Sequence, residues 1–162
     1  MILKIIIVLS ITALLAILVN ILEERRNRVH IPFKESMDLL SLPVVTFNNG
    51  DFKLHLLLDT GSDDSYIDCR IKEELLIKST RCDSRPILTA GGVIDSTEIV
   101  DLEITYKNSI YSNEFVLQNF TMQFDDIREN TGVTIHGILG SRFFERYKYV
   151  LDFKDMAFYS RG

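Results

Sequence analysis

Hydrophobic and polar positions divide the chain into three unlike stretches. Residues 5–22 (IIIVLSITALLAILVNIL) carry no charge, and Ile2 and Leu3 extend the apolar run past Lys4. An apolar run of roughly 18–20 residues is long enough to cross a bilayer core as a helix. A cleaved signal would instead need a shorter apolar core and a small-x-small cleavage site, and no good one precedes Glu23. The pattern therefore predicts a single-pass anchor over 1–22, with membrane contact through residues 2–22. Arg25, Arg26 and Arg28 follow the run, whereas only Lys4 and the amino terminus precede it. The positive-inside rule then leans towards a cytoplasmic domain, with the opposite side left open by so short a tail.

The second stretch, 23–37 (EERRNRVHIPFKESM), is polar and charged and reads as a juxtamembrane linker. From residue 38 to 162 the pattern becomes short strands separated by turn signals, which predicts a β-rich domain. Leu42 to Phe47 is rich in β-branched residues, Asn49-Gly50 is a hairpin signal, and Phe52 to Leu58 reads as the return strand. Ser65 to Ile67 suits a short strand, and Ile71 to Ile77 (IKEELLI) one or two helical turns. Ile87 to Ala90 leads into Gly91-Gly92, a hairpin tip. Val100, Leu102, Ile104 and Tyr106 alternate with mostly polar neighbours, so one face of that strand is buried. Tyr111 to Leu117 returns after Lys107-Asn108. Val133 to Leu139 is a further strand closed by Gly140, Ser141 is placed to cap a short helix from Arg142 to Tyr147, and Tyr149 to Tyr159 forms a final hairpin around Lys154-Asp155.

Composition narrows the function classes. The chain has 162 residues, 46% hydrophobic and 25% charged, ordinary values for a folded protein. A net charge of -5 argues against a nucleic-acid partner, which calls for a basic face. Cys69 and Cys82 lack metal-ligand spacing, and His30, His55 and His136 are scattered, so no zinc site and no other metal is expected. The two cysteines permit one disulfide or two free thiols.

One segment carries chemistry. The apolar run Leu54 to Leu58 delivers Asp59-Thr60-Gly61-Ser62. A carboxylate that activates water for peptide hydrolysis belongs at the end of a rigid apolar strand, followed by a small residue that lets the chain turn and a second carboxylate approach. Gly61 fits that turn, and the Thr60 hydroxyl can brace the loop. Two carboxylates are needed, one to accept the proton of water and one to polarise the scissile carbonyl. No second Asp-Thr-Gly occurs. Asn130-Thr131-Gly132 lacks the acid and sits in a polar stretch. The partner carboxylate must then come from a second copy, most simply in a two-fold homodimer. Taken alone, the motif also fits a capped strand-to-turn junction.

Four pieces in order resemble the retropepsin-like aspartic peptidases, the single-lobe enzymes of retroviral type. They are LLLDTGSDDS (56–65), TAGG (89–92), GILG (137–140) and the helix and hairpin SRFFERYKYVLDF (141–153), within a resemblance that runs from about Leu42 to Tyr159. The resemblance implies an all-β, closed single-lobe barrel with one short C-terminal helix, here following the anchor. It implies that Asp59 is the catalytic acid, that the Thr60 hydroxyl links the two active-site loops across the dimer, and that Gly61 presents its backbone near the substrate. It also implies that Asp63 and Asp64 contact the substrate, and that Gly91 and Gly92 lie at the tip of a flap that closes over the peptide.

Two departures stand out. Retroviral members carry Arg directly after the glycine of the third piece, paired with the first of the two aspartates, and here Ser141 holds that place with Arg142 one residue later. The chain also ends differently from members that knit their terminal strands into an interface sheet. Three blander readings accompany these. His136 either lines the cleft or is simply solvated or hydrogen-bonded. Asp125-Asp126 read as solvated charges in a loop, and Cys69 as a small core residue.

The expected function is cofactor-free endopeptidase activity on a peptide or protein substrate, with water activated between two Asp59 carboxylates. The alternative is a catalytically inactive peptide-binding or dimerisation module on a membrane, and a third class, a purely structural membrane protein, has only the anchor to recommend it.

Overall fold

The computed structural model describes residues 10–19, 29–83, 87–89, 92–94 and 97–160. Helix α1 occupies 10–19, and all of its residues are exposed, so it takes no part in the core. No helix among the described residues is long and apolar enough to cross a membrane. That finding corrects the single-pass anchor, the membrane contact through 2–22 and the localisation drawn from them. Residues 1–9 and 20–28 lie outside the described residues.

The folded region reaches back into the stretch expected to be a linker. Strand β1 (His30–Pro32) and helix α2 (Lys34–Leu40) precede residue 42. They form because Ile31 and Phe33 are 1% and 2% exposed in the main core. β1 pairs antiparallel with β12 (Ala157–Ser160), which pairs in turn with β11 (Tyr149–Asp152). The Phe33 amide donates to the Met156 carbonyl at 3.0 Å. The Ser36 hydroxyl seats α2 on the next strand, donating to the Val44 carbonyl at 3.1 Å and accepting from the Val44 amide at 2.9 Å.

The barrel follows. Its strands are β2 (Val44–Asn49), β3 (Phe52–Leu58), β4 (Tyr66–Asp68), β5 (Ile77–Asp83), β8 (Thr97–Tyr106), β9 (Ser109–Gln118) and β10 (Gly137–Leu139). Their order is β2-β3-β10-β4-β9-β8-β5, and a further β2–β8 pairing closes the sheet on itself. The expected all-β closed barrel is thus present. Alternation explains its inside: on β3, Leu54, Leu56 and Leu58 are buried while Lys53, His55 and Leu57 are not. The core gathers these leucines with Phe47, Leu102, Ile104, Phe115, Phe143 and Phe158. A second apolar cluster packs Val44, Tyr66, Ile99, Val116, Phe120, Phe124 and Ile135 together.

The Asn49-Gly50 signal marks the β2–β3 hairpin, whose loop is Gly50 and Asp51, with Gly50 in the left-handed region at φ 60. Asn49 itself ends the strand, 2% exposed. Its side chain accepts from the Leu76 amide at 2.6 Å and donates to the Glu103 carbonyl at 2.9 Å, tying the hairpin to β8 and to the approach of β5.

Helix content exceeds the single C-terminal helix expected. Besides α2 there are a 3-10 turn (Cys69–Glu74), α3 (Thr121–Thr131) and α4 (Ser141–Arg146). The stretch from Ile71 to Ile77 is helical only as far as Glu74, because Ile77 already pairs with Leu102. Asp125 is on α3 rather than in a loop, and its carboxylate accepts two hydrogen bonds from Arg70 at 3.0 Å each. Arg70 also holds the buried Asp68. Cys69 is exposed rather than a core residue, and Cys69 and Cys82 are both free thiols.

Candidate active site

Strand β3 ends at Leu58, and the loop 59–65 carries the chain over to β4. β10 runs between these two strands, parallel to β3 and antiparallel to β4. The loop is therefore fixed at both ends and from behind. The Asp59 amide donates to the Leu139 carbonyl at 3.1 Å. The Gly61 amide donates to Asp59 Oδ1 at 2.8 Å, which curls the loop about the carboxylate. The Ser62 hydroxyl donates to the Asp64 carbonyl at 2.9 Å, and the Gly140 amide to the Ser65 hydroxyl at 3.1 Å.

Helix α4 braces the same loop. Its first amides have no partner within the helix. The Ser141 amide donates to the Ser62 carbonyl at 2.8 Å, and the Arg142 amide to the Asp63 carbonyl at 3.2 Å. This contact demands a residue without a side chain at Gly140, where a Cβ would lie 2.2 Å from the Asp64 carbonyl oxygen. Gly140 takes the N-cap position with no side-chain cap, so Ser141 does not cap the helix as expected. Its hydroxyl is turned to Asp63 at 3.5 Å. Arg142 pairs with Asp64.

The predicted residues fall as follows. Asp59 is half-buried, Thr60 and Gly61 are exposed, Asp63 is exposed and Asp64 half-buried. Gly92 opens strand β7 (Gly92–Ile94), which pairs with β6 (Ile87–Thr89), Thr89 facing Gly92. This ribbon lies between β5 and β8 in the chain, where a flap is expected. Gly91 lies outside the described residues. Asn130-Thr131-Gly132 is the end of α3, where the Thr131 hydroxyl donates to the Ile127 carbonyl and the Gly132 amide to the Arg128 carbonyl. It supplies no second carboxylate loop.

Sequence reasoning did not single out Ser65 or His55 for this region. Nothing marks Ser65 except its place after the two aspartates. His55 and His136, 81 positions apart, stack at 5.1 Å and 18°. Burial lowers both rings below the ordinary histidine range, His136 to about 4 with the neighbouring His55 adding to the effect, and His55 with help from Lys53. Among the described residues no group of three or more His, Cys, Asp or Glu side chains could hold a metal ion.

A closed barrel with an Asp-Thr-Gly loop braced by a helix start and by a strand passing behind it is the architecture of an aspartic peptidase lobe. The aspartyl protease family profile matches residues 44–143, more than half of the chain. The chain belongs to that family, as a retropepsin-like member. Two solved structures are similar to it. EIAV protease in complex with the inhibitor HBY-793 is 21% identical over 67% of this chain and 90% of its own, with a TM-score of 0.48. The retroviral protease-like domain of Ddi1 from Leishmania major is 15% identical over 70% of this chain and 82% of its own, with a TM-score of 0.46. No curated protein matches the chain.

Proposed function

We propose that the chain is an aspartic endopeptidase that acts as a homodimer, with Asp59 of each copy supplying one catalytic carboxyl group. The observation that carries this reading is the placement of Asp59. It is half-buried at the end of a core strand, held by three backbone amide contacts, and followed by an exposed Thr60 and Gly61. Family membership supports the reaction class.

The chemistry needs no cofactor. Two carboxyl groups brought together hold one proton between them, since like charges in contact cannot both ionise. The ionised one takes a proton from water, whose oxygen bonds to the scissile carbonyl carbon. The protonated one gives its proton to the carbonyl oxygen, forming a neutral tetrahedral diol. Collapse breaks the C–N bond, the amine leaves with a proton from the diol, and the carboxyl pair regains its starting state. In this scheme Thr60 links the two loops across the dimer, and Gly61 offers its backbone to the substrate. Asp63 and Asp64 contact the peptide, and the ribbon bearing Gly91 and Gly92 covers it.

The test compares the purified chain with Asp59→Asn on a mixed peptide library between about pH 3 and about pH 8, with association state followed by sedimentation. Wild type is expected to cleave as a dimer, and the variant to lose cleavage while still associating. A wild-type dimer that cleaves nothing would leave a peptide-binding module. Cleavage that survives the substitution would remove Asp59 from the mechanism.

A further inference from the structure

The loop 59–65 hangs between β3 and β4, and His136 bonds to both strands just before β10 begins. Its amide donates to the His55 carbonyl at 2.8 Å on β3, and its carbonyl accepts from the Asp68 amide at 2.9 Å on β4. Its ring adds a third bond: Nδ1 accepts from the His55 amide at 3.0 Å. His55 is four residues ahead of Asp59 on the same strand. An amide pointing at Nδ1 requires a lone pair there, so the ring proton of the neutral imidazole sits on Nε2.

We propose that His136 is a positioning residue for the Asp59 loop: as a neutral ring it ties the strand entering the loop to the strands behind it, and its protonation releases the tie and sets an acid limit on activity. The proposal rests on the reading of Asp59 as the catalytic acid.

Imidazolium carries a hydrogen on both nitrogens. A protonated His136 would present N–H to the His55 N–H, leaving a half-buried backbone donor without its acceptor. Every packed neighbour bears on the balance. The His55 ring stacks on His136 from β3, with its own Nδ1 2.8 Å from the Thr46 hydroxyl on β2. Phe52 lies against His136 at 5.2 Å, an apolar wall that cannot solvate a cation. Lys53 disfavours charge on His55, and His55 disfavours it on His136. Among the described residues Asp68, on β4, is the facing group that favours the cation, and burial with His55 outweighs it. His136 is accordingly held down to about 4. The sign follows by linkage. As pH falls, the unfolded chain takes up its proton near the ordinary value, before the folded one does. The contribution of the tie is complete above about pH 6.5 and is lost as pH falls towards about 4.

The test uses the full chain and two variants. His136→Asn keeps an acceptor, its Oδ1, near the place of Nδ1 but cannot titrate. His136→Leu fills the space without an acceptor. Ring 15N shifts, thermal midpoints, and kcat and KM are followed from about pH 7 to about pH 4. His136 is expected to stay neutral, protonated on Nε2, down to about pH 4. The stability gap between wild type and His136→Asn should narrow or reverse as pH falls, wild type losing more. His136→Asn should keep up to about twofold more of its near-neutral kcat than wild type at about pH 4, where about half of the wild-type rings carry the extra proton, while His136→Leu loses kcat throughout with little change in KM. A ring titrating in the ordinary histidine range, a pH-independent gap, or coincident acid limbs would overturn the proposal. Should wild type cleave nothing at any pH, the catalytic reading fails by itself, and the ring shifts and stability gap still judge the tie.

Discussion

Arg142 is paired with Asp64, while the Asp63 carboxylate meets the Ser141 hydroxyl at 3.5 Å. In the retroviral pattern the arginine directly follows the glycine and meets the first aspartate. Here it comes one residue later and meets the second. The cation is kept, and its partner has moved by one position.

That pair is open to solvent, with the Arg142 side chain 67% and that of Asp64 29% exposed. Arg142→Ala is therefore expected to lower stability by less than about 1 kcal/mol. The loss should shrink further in salt, because exposed charges are screened. Urea unfolding at low and high ionic strength checks this. A loss of several kcal/mol that ignores salt would show that the amide brace of α4 depends on the guanidinium.

Two glycines near the loop should fail in different ways. A Cβ on Gly140 meets the Asp64 carbonyl oxygen at 2.2 Å and the Asp63 carbonyl oxygen at 2.9 Å, both backbone atoms that can move only with the loop. Gly140→Ala is expected to cost about 3 kcal/mol or more. A Cβ on Gly61 meets Asp59 Oδ1 at 3.2 Å, a contact relieved by a shift of a few tenths of an ångström. Gly61→Ala should leave the unfolding midpoint nearly unchanged and cut peptidase activity strongly, because small misplacements of a reacting group carry large rate penalties. Denaturation and cleavage assays on the two variants separate these outcomes.

Asn49, itself buried, satisfies backbone groups on two other segments at once, Leu76 and Glu103. Asn49→Ala leaves those groups unpaired and should destabilise by about 3 kcal/mol. Asn49→Asp retains the acceptor for the Leu76 amide but turns a carboxylate towards two carbonyl oxygens. It should be at least as unstable near neutrality and recover partly in acid. Denaturant midpoints at unchanged m-value measure both.

The Arg81 guanidinium meets Glu114 in a two-pronged contact, at 2.6 Å and 2.7 Å, and holds its carboxyl below the usual glutamate range. A lowered carboxylate stabilises the fold above its unfolded value and loses that contribution as pH falls through the folded one. The pair joins β5, which leads to the β6–β7 ribbon, to β9. Glu114→Gln should speed hydrogen exchange of the β5 amides near neutrality and at low salt, and make little difference in acid, where wild type has already lost the contact.

What could be read in advance follows from where each element finds its partners. β3, β8 and β9 announce themselves because their buried and exposed positions alternate along their own length, and the Asp59 loop follows from the strand that carries it. β5 (IKSTRCD) shows no alternation, since almost every residue on it is exposed and pairing with β8 alone makes it a strand. Helix α3 buries only Phe124, so its polar sequence resembles a loop. β1 depends on pairing with β12, more than a hundred residues away, and α2 on the Ser36 contact with Val44. The His55–His136 tie is invisible in the sequence because the parallel pairing of β3 and β10 brings together two rings that nothing local connects.

The pairing of His30–Pro32 with Ala157–Ser160 has a consequence for how the protein is made. During synthesis β1 emerges with no mate, and Ile31 and Phe33 wait uncovered until the strand Ala157–Ser160 has also emerged. Closure of such distant ends is slow compared with local hairpins. A released chain cut short of residue 157 would hold the barrel strands with one apolar seam still open.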